Sequence, residues 1–233
     1  MHKRLGHFIE TYRGSSFPTR SQTADGELCV VKLRGSGNGS AALISEFVVN
    51  RLASRAGMAV PDVFVLDIAD GHPWDFGTDE FYDLVQKSSG ANLAITLLNG
   101  ARPVDAVRYI SLPDEVVSQV VTLDIVFTNF DRSARSANLV EDDDGRYWII
   151  DHGSCRFLFQ SPGQCVCRLR KDHIFAGREE AFDPGWLEKM SSSLLADTVT
   201  EIPDVWLTDS GLTRDVVHSR IAAHLGSQRD GMA

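Results

Sequence analysis

No run of this 233-residue chain comes near the roughly 18 consecutive apolar residues of a membrane-spanning helix, so no membrane span is expected. Basic charge is also short. There are 23 Lys and Arg against 32 Asp and Glu, a formal net charge of −9. A protein that coats nucleic acid neutralises phosphates with a basic face, so direct nucleic-acid binding is not expected. One local run, RLRK at 168 to 171, stands against that trend. Cysteine is scarce: Cys29, Cys155, Cys165 and Cys167. The last two form a C-x-C with no matching second pair, whereas a zinc site needs four ligands in paired spacings. Free thiols in a reducing compartment are the reading that remains. The N-terminal stretch MHKRLGHFIETYRG holds no apolar run of signal-peptide length, and a cytoplasmic location is expected. Internal repeats and low-complexity segments are absent as well.

What is present is ordinary globular material, 43% apolar and 24% charged. A chain of this length buries roughly 70% of its unfolded surface without staples. HFIETY and ELCVVKLRG read as strands, with the turn GSSFP after the first and the loop GSGNGS after the second. AALISEFVVNRLASRAG (41 to 57) reads as a helix: Ile44, Val48 and Leu52 repeat at four-residue steps, and Gly57 stops it. DVFVLDIA and EFYDLVQK read as two further strands. After residue 90 the pattern turns helical. Pro113 and Asp114 open one long apolar helix, NLV and RYWIID form a hairpin around EDDDG, and two more helices follow in the tail. The expectation is an α+β chain of two lobes: a small sheet-plus-helix lobe at 1–88, then a mostly helical one at 89–233.

The chemistry-bearing residues fall at element ends. Lys32 sits in the strand CVVKL, where a buried ammonium needs a partner or a ligand, although an alternating strand also has a solvated face. Glu46, on the following helix, borders the apolar stripe and is able to point along the sheet towards Lys32. The stretch TNFDRSARSANLVEDDDGRYWIIDHGS holds Asp131, Asn138 and Asp151. In phosphoryl transfer one aspartate orients the attacking hydroxyl and accepts its proton. An amide a few residues on and a second aspartate after a short hairpin hold magnesium. A loop rich in Asp, Asn and Ser is also common for turn geometry alone. The five residue types on the expected elements, taken together, favour the chemical reading. Asp124, seven residues before Asp131, is expected to pair with Arg132 or Arg135 and support the loop. His152 is expected to pack or hydrogen-bond.

The run NFDRSARSANLV…WIIDHG resembles the catalytic loop and metal-binding turn of HipA-like kinases, in which the acid precedes arginine as Asp131 precedes Arg132. The stretch from GSSFP through Pro61 is similar to the N-terminal part of that group. The resemblance implies a protein-kinase-like fold using ATP and Mg2+. Lys32 would contact the nucleotide phosphates, held by Glu46, and Asp131 would be the catalytic base. Asn138 and Asp151 would bind magnesium. Gly14, Ser15 and Ser16 would form the phosphate-facing turn, with GSGNGS competing for that task. The group's asparagine five residues after the aspartate is Ser136 here, whose hydroxyl is a third metal ligand to consider. The adenine is expected against backbone groups of Leu84, Val85 and Gln86. The acceptor would be a Ser or Thr of a protein, or a small molecule, and an antitoxin-like partner is left open. The rival reading is a pseudokinase that binds nucleotide and acts through a protein partner.

Overall fold

The structure, a computed structural model, describes residues 2–12, 14, 16–73, 77–159, 168–190 and 192–231. Ser15, Cys165 and Cys167 lie outside the described residues.

Five strands build the N-terminal part: β1 (His2–Thr11), β2 (Thr19–Thr23), β3 (Leu28–Lys32), β4 (Val63–Ile68) and β5 (Gly90–Thr96). They run in the order β1-β2-β3-β5-β4. Antiparallel pairs join all neighbours, and a short parallel pairing of His2–Arg4 with Val65–Asp67 closes the sheet into a barrel. Closure removes the exposed edges. Leu5, Phe8, Cys29, Val31, Phe64 and Leu66 fill one cluster. Successive strand residues point to opposite faces. Val31 therefore enters that cluster, and Lys32, the next residue, turns the other way towards helix α1 (Gly39–Arg55).

Two expectations need correction. EFYDLVQK is not a strand but lies in helix α2 (Asp79–Lys87). The Thr78 side chain caps it by accepting from the Phe81 amide, Asp79 and Glu80 favour its N-terminus, and Phe81 and Val85 enter the barrel-side cluster one turn apart. The change of region at residue 88 also moves. β5 follows that point yet is hydrogen-bonded between β3 and β4, so the sheet-rich part runs to Thr96.

The remainder is largely helical. After the short β6 (Arg102–Pro103) come α3 (Asp114–Val126), β7 (Leu139–Glu141), β8 (Tyr147–Ile149), α4 (Pro184–Lys189), α5 (Ser192–Thr200), α6 (Asp204–Ser210) and α7 (Arg214–Gly231). The hairpin pairs Leu139 with Ile149 as the sequence predicts. One apolar core runs from α1 through α3 to α7. Fully buried Trp206 of α6 meets Phe47 of α1 edge to face, 5.9 Å between centroids, and its indole N–H donates to Ala91 O at 2.8 Å. Because α1 is covered on the barrel side and on the α5/α6 side, its polar Glu46 and Asn50 are buried too. Among the described residues no helix is long and apolar enough to cross a membrane.

Candidate active site

Lys32 ends β3 with its side chain buried, and its Nζ donates to the Glu46 carboxylate and, at 2.8 Å, to Asp151 Oδ1. Burial alone would lower the lysine's pKa. The two carboxylates outweigh it, so the ammonium is held charged above its usual range. Burial raises the Glu46 carboxyl, with Asp151 adding to the rise and Lys32 opposing it. Lys32 lowers Asp151. The main-chain amide of His152 also bonds the Glu46 carboxylate. Gly153 follows for a steric reason. A Cβ there would lie 3.2 Å from Glu46 Oε2, so any side chain would crowd the pair.

The loop that carries Asp131 is held by buried charge. The Asp124 carboxylate on α3 accepts from Arg132 Nε, from Asn129 Nδ2 at 2.9 Å and from His173 at 2.8 Å. Burial pushes the Asp124 carboxyl up, but Arg132 and His173 overcome it and bring it down to about 2. Arg132 Nη1 then reaches the carbonyls of Ala137 and Asn138 at 2.7 and 2.6 Å. Asp124 thus pairs with Arg132, as expected of one of the two candidate arginines. Asn129 Oδ1 accepts from the Asp131 amide at 3.1 Å, which fixes the aspartate's main chain. Burial and then the neighbouring Asp151 raise the Asp131 carboxyl above the ordinary range.

Thr128, Asn138 and Asp151 all adopt positive φ, at 54°, 48° and 62°. Non-glycine residues in that region cost energy and cluster at functional sites. Here the cost turns the Asn138 and Asp151 side chains to the same cavity.

That cavity measures about 330 Å³, near the small end for ligand pockets. Lys32, Glu46, Asp131, Ser136, Asn138 and Asp151 line it, from both the sheet-rich and the helical parts. Gly14 and Ser16 of the β1–β2 turn line it too, and so do Ser36 and Asn38 of the β3–α1 loop, so both candidate phosphate turns face it. Leu84, Val85 and Gln86 do not line it. Their carbonyls accept from Ser88 and Ser89 at the end of α2, where a strand edge was expected to meet adenine. The Ser136 hydroxyl donates to Asn138 Oδ1 at 3.1 Å, and the Asn138 side-chain amide also bonds the Asp131 carboxylate, opposing the rise that burial causes there.

Sequence reasoning missed His173 and Asn129. His173 is a lone histidine in a polar loop. Its role depends on a β-bridge with Ser133 and on Asp124, 49 residues away, which no local pattern signals.

None of the curated proteins matches this chain. Among solved structures it is similar to the crystal structure of a Helicobacter pylori proinflammatory kinase, CtkA. The TM-score is 0.55 and the identity 11%, over 92% of this chain and 94% of that one. At that identity the likeness shows a shared fold. The model of the HipA-like kinase family matches residues 9–229. With the match running through the barrel, the Lys32–Glu46 pair and the Asp131 loop to α7, the chain belongs to the HipA-like kinase family.

Proposed function

We propose that the chain is a two-lobed, ATP- and magnesium-dependent kinase that transfers the γ-phosphoryl group to a Ser or Thr hydroxyl of a protein. One observation carries this reading: Lys32 is bonded to Glu46 and Asp151 at once, in a cavity that Asp131 also lines. An ammonium positioned by a helix carboxylate is the arrangement that kinases use against nucleotide phosphates. Lys32 keeps its charge there and offsets the negative charge of the phosphates.

The donors suit magnesium. That ion takes hard oxygen ligands, often one or two carboxylates together with substrate phosphates and water. Asp151 and the Asn138 amide would hold it, with the Ser136 hydroxyl beside them. When bound, it would neutralise charge between the phosphates. Asp131 orients the acceptor hydroxyl and takes its proton on a carboxylate oxygen. The acceptor oxygen forms its bond to the γ-phosphorus as the bond to the β–γ bridging oxygen breaks, and ADP leaves.

Asp131→Ala should lower transfer by about 10²–10⁴-fold, the range of a general base, with ATP affinity kept. Radiolabel transfer and ATP titration measure the two. Turnover equal to wild type would remove Asp131 from the mechanism. Ser136 at the family's asparagine position favours one rival, a pseudokinase acting through a partner. A thermal-shift titration separates the two: stabilisation by ATP that requires magnesium supports the enzyme, and no shift with or without magnesium supports the scaffold.

A further inference from the structure

Arginine pairing on this acidic surface is mixed: among the described residues Arg4, Arg146, Arg156, Arg220 and Arg229 make no ion pair, whereas others do. Arg51 and Arg55 bind Glu201, Arg108 binds Glu141, Arg178 binds Glu180 and Arg214 binds Asp204. Three of the unpaired cations fall on the two segments that meet beside Asp131. Arg135, four residues after the aspartate, and Arg168 and Lys171 of the 168–178 segment are exposed, and among the described residues no carboxylate lies within 4.0 Å of their charged nitrogens. A fourth cation, Arg170, stacks 5.7 Å from the ring centroid of Phe130, the residue before Asp131. Asp172 holds it in that pose at 2.9 and 3.1 Å.

These cations do not ride on an unattached loop. The Ser133–His173 bridge joins their two segments, and His173 is tied to the same buried Asp124 that holds Arg132 and the loop that carries Asp131. Asp172 is taken up by Arg170, and the like charges left without an ion pair repel one another. In a chain with nine more acidic than basic residues, such a face is suited to an anionic partner. The cations are few, and Phe130 between them is part-exposed and apolar. That mixture fits a short polypeptide better than a polyphosphate backbone, which calls for many phosphate contacts.

We propose that this face binds the acceptor, and that the acceptor is a polypeptide segment with Asp or Glu flanking its Ser or Thr. The inference rests on the kinase reading for the transfer step, but binding alone tests the surface. The probes are three fluorescent serine peptides of one core sequence, flanked by Glu, Gln or Lys, titrated by anisotropy into the full chain. Three exposed ion pairs of ordinary strength sum to roughly tenfold, so the Glu peptide should bind roughly tenfold tighter than the Gln peptide, and the Lys peptide weakest. The variant Arg135→Gln/Arg168→Gln/Lys171→Gln should lose that preference at an unchanged thermal midpoint, and the charge-keeping Arg135→Lys/Arg168→Lys variant should retain it. Equal affinity for all three peptides would overturn the proposal, as would a preference that survives the triple Gln change. So would displacement of the Glu peptide by a short oligonucleotide at lower concentration than by unlabelled peptide. If the Glu peptide binds as expected but magnesium and ATP give neither phosphopeptide nor ADP, the kinase reading fails and the surface assignment stands.

Discussion

Two buried ion networks meet the chain near Asp131, one around Asp124 and one around Lys32, and they differ in whether they are closed. Around Asp124 every strong group finds a partner within the protein. The carboxylate takes Arg132, Asn129 and His173, and the remaining reach of Arg132 goes to two carbonyls. Around Lys32 the network stops short. Asp151 stays 42% exposed at its side chain, and Glu46 Oε1 has no hydrogen-bond partner among the described residues. A buried ion pair offsets its desolvation only when its other lone pairs and protons are also satisfied. The closed network is therefore architecture, whereas the open one leaves charge only partly satisfied at the cavity.

Breaking the closed network should cost most. Asp124→Asn leaves the fully buried Arg132 without a counter-charge, which should lower unfolding stability by about 3–5 kcal/mol in denaturant titration. A loss below about 1 kcal/mol would mean that Arg132 does not depend on Asp124, and the contrast would fail. The same residue sets an acid limb. Its folded pKa is depressed from 3.8 to about 2. Its contribution is thus fully present above about pH 4 and lost as pH falls through 2, a loss of about 2 kcal/mol. Asp124→Asn should lack that limb.

The open network should behave oppositely. Lys32→Met should cut transfer by roughly 100-fold or more while changing unfolding stability by only about 1 kcal/mol. The asymmetry follows from Glu46. Burial already raises its carboxyl, and losing the ammonium removes the group that opposes that rise, so Glu46, unlike Arg132, has protonation as a route out of a bare buried charge. A stability loss as large as that of Asp124→Asn would show the two networks to be alike.

The same contrast explains what was legible in the sequence. Lys32, Glu46, Asp131, Asn138 and Asp151 were readable because each sits at a fixed offset from an element whose periodicity is strong: a strand end, a helix face, a hairpin. Their convergence on one cavity is long-range, yet the order of elements already implied it. The closed network was half legible. Asp124 and Arg132 are near in sequence, but His173 joins them only through a loop whose path no periodicity encodes. The strand expected at EFYDLVQK proved to be helix α2. Phe, Tyr and Val there suggested a strand, while the Thr78 cap, the acidic first turn and the i, i+4 spacing of Phe81 and Val85 carried the helix signal.

His152 offers the smallest and sharpest test of where the open network ends. Burial, then Arg132, hold its imidazole down to about 3, so it is neutral across the working range and has one donor and one acceptor nitrogen. Neither has a hydrogen-bond partner among the described residues. Each dry orphan of that kind costs about 1–3 kcal/mol. Leucine has a similar volume and no polar atoms, so His152→Leu should raise unfolding stability by about 1 kcal/mol if the ring is dry. A loss of about 1 kcal/mol or more would instead mean that buried water satisfies the ring. The imidazole would then extend the hydrogen bonding that its own main-chain amide begins at Glu46, and the open network would reach through the turn after Asp151 towards Arg132.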